Sequence, residues 1–444
     1  MYNYRPWVPE VLNQFADGII KSVDFSDSSA LAHEIYLRAE ENRVIHDAQC
    51  INLDPAANIM NPRAEALLAS GLGSRPSLGY PGDKYEMGLE AIEQIEVLCA
   101  ALATEIFSSE FAEIRVGSGA LANLYAFMAT CQPGDRVIVP PASIGGHVTH
   151  HTAGAAGWFG LEIVEAEPDA SRYSVDLDAL RERARECSPR LITIGGSLNR
   201  LPHPVAQIRE IADEVGAYLL VDAAHQCGMI ASGCWPNPLQ QGAHLMTMST
   251  YKSLGGPPSG LIVSNDAALM ERIDSIAFPG LTANFDAGKA AALAISLLDW
   301  REYGEAYGRA MVETAAALSR EVEAIGAEVF KVEAEDGQQV SSRSHQFALR
   351  AAEFGGGQTL AGKLRDVNIL SCGIGLPLET VRGDMNGLRL GSPEIVRIGM
   401  QSADMPELAA CIHDCLYDRR PVLEIAQEVS AMRGRFDTLH YIRD

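Results

Sequence analysis

A lysine and an aspartate, each at the end of an apolar run, are the residues of this chain best suited to chemistry. Lys252 closes Ser249-Thr250-Tyr251-Lys252 and is followed by Ser253-Leu254-Gly255-Gly256-Pro257. Asp222 closes Ala217-Tyr218-Leu219-Leu220-Val221-Asp222 and is followed by Ala223-Ala224-His225. A lysine amine can form a Schiff base with an aldehyde, and a carboxylate can keep a pyridine nitrogen protonated. Those two groups are the least that pyridoxal 5'-phosphate (PLP) requires of a protein. Either residue alone reads as a helix-capping Asp or a loop Lys. The pair, with these flanks, points to the cofactor.

Such residues need a scaffold, and the hydrophobic pattern supplies one. Apolar runs predict strands over 136–140, 161–164, 191–194, 217–222, 244–248 and 260–264. Amphipathic stretches predict helices over 88–106, 118–130, 177–187 and 205–215. This alternation predicts an α/β fold with a mostly parallel, helix-covered sheet. Ligands then bind beyond the carboxyl ends of the strands, where Asp222 and Lys252 fall. Residues 1–53 read as an N-terminal helical arm, 54–282 as the large domain and 283–325 as a linking helical stretch. Residues 326–444 read as a smaller α+β domain with strands over 346–350 and 396–400.

Composition narrows the class. The chain has 444 residues, 47% hydrophobic and 21% charged, which is enough for a large buried core. Its formal net charge of −23 argues against nucleic acid and against an anionic membrane surface. No apolar run approaches a membrane span, and the amino terminus lacks the pattern of a signal peptide. Nine scattered cysteines with no Cys-x-x-Cys pair fit free thiols in the reducing cytoplasm, and no metal site is expected. Cys227, close to His225, reads as a small packed residue.

Six segments carry the chemistry in order. They are Tyr80-Pro81-Gly82-Asp83-Lys84-Tyr85, Gly117-Ser118-Gly119-Ala120-Leu121-Ala122-Asn123, Gly145-Gly146-His147-Val148-Thr149-His150, the Asp222 segment, the Lys252 segment, and Gly387-Leu388-Arg389-Leu390-Gly391-Ser392-Pro393. From about residue 50 to the end the set resembles the serine hydroxymethyltransferases, fold-type I PLP-dependent enzymes. The resemblance implies that Lys252 forms the Schiff base and that Asp222 pairs with the pyridine nitrogen. It implies that His147 stacks on the ring and that Ser197 and His225 lie near the phenolic oxygen. Ser118 and Gly119, opening a helix, would hold the phosphate, as a helix amino terminus can. Arg389 would clamp the substrate carboxylate, a task suited to a planar bidentate donor. The resemblance also places the Tyr-Pro-Gly segment and the loop Phe278-Pro279-Gly280 across a homodimer interface. Tyr85 and the stretch Leu281 to Phe285 would then serve the site of the neighbouring subunit, with Tyr80 at the substrate and Gly280 at the cofactor.

Departures from the family pattern bear on the reaction. The run before Tyr80 carries Pro76 and Leu78 where the family has a tyrosine and a proton-transferring glutamate. The early Ser-Glu-Asn triplet reads Ala56-Ala57-Asn58, the second tyrosine after Tyr-Pro-Gly is Glu86, and Gly-Pro-Arg after the lysine is Gly256-Pro257-Pro258. A leucine cannot move protons. The amino-acid machinery is kept while the acid–base set used with folate is not. The resulting expectation is a folate-independent aldolase or threonine transaldolase acting on a β-hydroxy-α-amino acid and an aldehyde through a glycine-derived quinonoid. Glu86 or His147 would handle the hydroxyl proton. Folate-dependent hydroxymethyl transfer, decarboxylation, racemisation, α-methylserine chemistry and a non-catalytic PLP-binding subunit are the alternatives.

Overall fold

A computed structural model describes residues 3–444. A seven-stranded sheet forms its centre. In chain order the strands are β1 (Phe111–Val116), β2 (Arg136–Val139), β3 (Glu162–Glu165), β4 (Leu191–Gly195), β5 (Tyr218–Asp222), β6 (Leu245–Ser249) and β7 (Gly260–Ser264). The spatial order is β1-β7-β6-β5-β4-β2-β3, and only β7 runs antiparallel to its neighbours. The inner strands read as unbroken apolar runs because both faces are covered, and all five residues of β4 and of β6 are buried.

The helices end where local chemistry demands. Two of them, α1 (Glu10–Ser22) and α2 (Ser28–Arg43), form the amino-terminal arm. They leave Trp7, Val11, Phe15, Ile35 and Tyr36 exposed. Helix α3 (Glu90–Phe107) comes before the sheet. Helix α4 (Gly119–Thr130) follows β1, and its cap Ser118 accepts the Leu121 amide on Oγ. Helices α5 (Leu177–Cys187) and α6 (Val205–Val215) have the predicted bounds. Asp176 caps α5, and Gly216 closes α6 at φ +69°, a conformation that glycine adopts without strain. The long α7 (Ala287–Ala324) packs on α3, which itself lies against β1.

Beyond α7, strands β8 (Gln346–Arg350), β9 (Cys372–Ile374) and β10 (Gly387–Gly391) form a second, antiparallel sheet with β10 in the middle. The chain entering from the arm joins this unit. Ile51 and Asn52 pair in parallel with Ile369 and Leu370, and Gly391 donates its amide to the Leu53 carbonyl at 2.8 Å.

Residues 396–400, expected as a strand, are not one: helix Pro393–Arg397 takes the first two of them and a turn follows. Pro393 at the first helical position has the fixed φ that starts a helix, and Gly399 ends the run at φ +99°. A short, wholly buried apolar run does not distinguish the two elements. Three of these strands escaped the pattern altogether, β1, β9 and β10. In β1, buried Glu113 and half-buried Arg115 interrupt the apolar run; they pair with each other at 2.7 Å.

Candidate active site

The parallel strands deliver their carboxyl ends to one edge of the sheet, and the chemistry-bearing residues gather there. A cavity is lined by Gly119, Asn123, His147, Ser197, Asp222, His225, Ser249 and Lys252. It opens into a larger cleft that adds Ala56, Tyr251 and Arg389. Thus Gly119, His147, Ser197, Asp222, His225, Lys252 and Arg389, distant in sequence, meet in one place, while Ser118 lines neither space and caps α4 beside them.

Asp222 ends β5 and is buried. Its Oδ2 accepts from Asn123 Nδ2 at 2.9 Å and faces His150 Nε2 at 2.9 Å. Its Oδ1 accepts the Ala224 amide at 3.0 Å. Burial pushes its pKa up. The bonds from His150, Asn123 and Ala224 outweigh burial and hold the carboxyl below the usual carboxylate range. Asn123, one turn into α4, is itself fixed: its Oδ1 accepts from Thr247 Oγ1 at 2.7 Å and its amide reaches Thr149 Oγ1 at 3.0 Å.

Lys252 follows β6 and is only 8% exposed. Burial pushes its amine down, Asp222 opposes this, and Arg389 adds to it. A larger neutral fraction is what a nucleophilic amine needs. The His147 ring forms a wall of the cavity. Its Nδ1 accepts the Thr149 amide at 3.3 Å, so the proton of the neutral ring lies on Nε2. Burial holds it neutral by lowering its pKa.

His225 presents an unpaired contact. Gln346 Oε1 accepts the Asn199 amide at 2.9 Å, which turns the Gln346 amide nitrogen toward His225 Nδ1 at 3.1 Å. Nδ1 is therefore the acceptor and Nε2 carries hydrogen. Nε2 in turn faces Arg389 Nη1, another donor, at 3.2 Å. Burial and the neighbouring cations Lys252 and Arg389 keep His225 neutral, well below its ordinary pKa. Two donors facing each other call for an oxygen anion between or beside them.

The donor set and shape fit PLP. The amides of Gly119 and Ala120 open α4 and have no carbonyl in their own helix to bond, which leaves them for a phosphate. A Cβ on Gly119 would lie 2.0 Å from Ser249 Oγ, so only glycine lets the helix come this close to the end of β6. Asp222 supplies a permanent negative charge, His147 a flat wall, and Lys252 the amine.

Four expected residues lie elsewhere in the protomer. Tyr80, Tyr85 and Glu86 sit on or beside a hairpin in which Gly79 pairs with Lys84 and Tyr80 with Asp83. Tyr80 donates to Asp274 at 2.8 Å and packs edge-on against Phe278. Tyr85 is 80% exposed, and Glu86 accepts the Leu78 amide at 3.3 Å. Gly280 is exposed on the neighbouring loop. The hairpin is rigidly clipped to α3: buried Lys84 meets Glu96 at 2.6 Å, Ser77 donates to the same carboxylate at 2.6 Å, and the Gly82 amide bonds Glu93 at 2.7 Å. None of these four lines the cavity at Lys252 in the same chain.

Sequence reasoning gave no role to Asn123, His150, Gln346, Asp54 or Cys372. Asn123 and His150 stand inside the quoted segments, and their place one turn after Gly119 and three residues after His147 was the available signal. The other three come into contact only through the second sheet.

Comparison with known proteins agrees with this geometry. The family profile described as "SHMT: Serine hydroxymethyltransferase" matches residues 30–412. An alpha-methylserine aldolase of Variovorax paradoxus is 60% identical over 438 residues, covering 99% of this chain and 98% of that protein. An alpha-methylserine aldolase of a Ralstonia species is 53% identical over 443 residues, 100% of each chain. A serine hydroxymethyltransferase of Methanopyrus kandleri is 36% identical over 395 residues, 88% of this chain and 91% of that one. The chain belongs to the serine hydroxymethyltransferase family of fold-type I, PLP-dependent enzymes.

Proposed function

We propose that this protein is a folate-independent aldolase for an α-alkyl β-hydroxy amino acid of the α-methylserine type. The enzyme breaks the Cα–Cβ bond and releases formaldehyde and alanine, and it runs the reverse condensation. The observation that carries the reading is the match along the whole chain to two relatives named alpha-methylserine aldolase. Pro76 and Leu78, in place of folate-handling groups, support it.

PLP, when bound, withdraws electrons from the substrate's Cα so that a bond there can break. The chain's residues do the rest. Lys252 holds the cofactor through its buried amine. Asp222 keeps its charge through His150, Asn123 and the Ala224 amide, and so would hold a proton on the pyridine nitrogen. Ser118, Gly119 and Ser249 would hold the phosphate, and His147 would support the ring. Ser197 and the Nε2–H of His225 would bind the phenolic oxygen. Arg389 binds the substrate carboxylate, which orients the Cα–Cβ bond. As that bond breaks, the β-hydroxyl loses a proton, Cβ becomes the aldehyde carbon, and Cα takes a proton in exchange. His147 Nδ1 is occupied by Thr149, so we assign acceptance of the hydroxyl proton to Glu86.

Glu86 reaches this position only from a second copy. The active unit is accordingly a homodimer in which Tyr80, Tyr85, Glu86 and Gly280 of one subunit complete the site of the other. Exposed Tyr85, Met87 and Leu281, and the apolar face of α1, become covered in it. We retain the division into an arm (1–53), a large domain (54–282), a linking stretch (283–325) and a small domain (326–444). Among the described residues no helix is long and apolar enough to cross a membrane. The nine free cysteines support a cytoplasmic location.

Purified enzyme with PLP would be given α-methyl-L-serine or L-serine, with and without tetrahydrofolate. Formaldehyde and alanine formed from α-methylserine without folate, and lost in Lys252→Ala, are expected. Cleavage that requires folate, or that prefers serine with folate, overturns the reading.

A further inference from the structure

Arg389 has partners on two sides that belong to different parts of the fold. Its Nη1 donates to the Ser197 carbonyl and faces His225, both carried by the central sheet. Its Nη2 donates to Cys372 Sγ at 2.9 Å and lies 3.4 Å from Asp54 Oδ1. Cys372 belongs to β9, paired directly with β10, which bears Arg389. Asp54 follows the Ile51–Leu53 segment inserted beside β10. Asp54, Cys372 and Arg389 are thus parts of one framework, while Ser197 and His225 are parts of another.

We infer that Asp54 is a positioning residue for the substrate carboxylate: it anchors Nη2 of Arg389 so that the guanidinium presents its remaining donors to the amino acid. The inference rests on the reading of Arg389 as the carboxylate clamp.

Asp54 is itself held whether or not Arg389 is engaged. Its Oδ1 accepts the Ala56 amide at 3.0 Å, and its own amide donates to Asn52 Oδ1 at 2.9 Å. Asn52 in turn donates to buried Glu394 at 2.7 Å. Cys372 completes the anchor by donating its thiol to Asp54 Oδ1 at 3.2 Å. Arg389 Nε is buried with no partner among the described residues, and Nη1, besides donating to the Ser197 carbonyl, meets the Nε2–H of His225. These are the donors left to a ligand. A carboxylate that accepts from Nε, or that enters beside Nη1 and relieves its contact with His225, takes up one of them. The anchored Nη2 keeps its geometry, and the guanidinium loses little freedom on binding.

The test uses PLP-loaded, full-length enzyme and reads binding rather than turnover, through the change in cofactor absorbance on titration. The probes are L-alanine and 2-amino-2-methylpropane-1,3-diol, an amine without a carboxylate. Asp54→Ala weakens alanine about tenfold or more, the scale of a lost hydrogen bond to a charged group. Asp54→Asn keeps the turn to Ala56 and loses less, and the diol binds as tightly to both variants as to the wild type. Unchanged alanine binding in both variants overturns the inference, as does equal weakening of alanine and diol, which marks general damage. Arg389→Ala runs beside them. If it leaves alanine binding intact, the clamp reading has failed, an outcome distinct from failure of Asp54 alone.

Discussion

Glu394→Gln should make the protein more stable above neutral pH and leave it nearly unchanged in acid. Glu394 is buried in the short helix after β10, and Asn52 donates to it at 2.7 Å. Burial pushes its carboxyl from the ordinary 4.5 up to about 7, against the Asn52 bond and the charge of Arg433, which pull it down; Asp47 and Asp54 add to the rise. The folded state therefore holds a proton that the unfolded chain has released, and the sign follows. Stability falls as pH climbs from the unfolded value toward the folded one, and then levels. That difference is worth about 3 kcal/mol. Glutamine offers the same acceptor to Asn52 and never carries the charge. Urea unfolding of both proteins at matched pH is the assay. The advantage of the variant should be about 1 kcal/mol or less near pH 5 and approach about 3 kcal/mol by pH 8. A difference that stays flat across that interval, or a variant weaker than wild type at pH 8, refutes the reasoning.

Three further outcomes are expected. Arg389→Ala should weaken amino-acid binding by about 2–5 kcal/mol while PLP remains attached, read by titration against cofactor absorbance. Asp222→Asn should retain PLP, detected by borohydride trapping on Lys252, yet lower turnover by about two orders of magnitude because the buried charge is lost; an unimpaired variant removes Asp222 from its assigned role. Lys84→Met strands the buried Glu96 charge and should cost about 3–5 kcal/mol in urea unfolding, with Lys84→Met/Glu96→Gln recovering much of the loss.

How much was legible in the sequence depended on where each signal was stored. Asp222 and Lys252 stand at the ends of apolar runs, so strand, position and chemistry coincide in one stretch of chain. The bounds of α5 and α6 were readable because their apolar stripe and caps are local. β1 was hidden because Glu113 and Arg115 neutralise each other inside the fold, a pairing that a linear pattern does not display. The strand expected at 396–400 failed because burial on all sides erases periodicity. The charge state of Asp222 depends on Asn123 and His150, and the anchor of Arg389 on residues separated by 318 positions. Contacts of that span arise from topology, which composition and spacing do not encode.

The clip of Lys84 on Glu96 has a consequence for genetics. It holds the hairpin of Tyr80 and the adjoining Tyr85 and Glu86 in a fixed shape before any partner arrives, and its buried charges belong to one chain. Under the proposed dimer, each site draws its lysine from one polypeptide and its proton acceptor from the other. Two inactive alleles, one altered at Lys252 and one at Glu86, would then rescue each other when expressed together. In a mixed pair, one site inherits both lesions and the other inherits neither. Alleles altered at Lys252 and at Asp222 would not complement, since both lesions stay in the same half of every site.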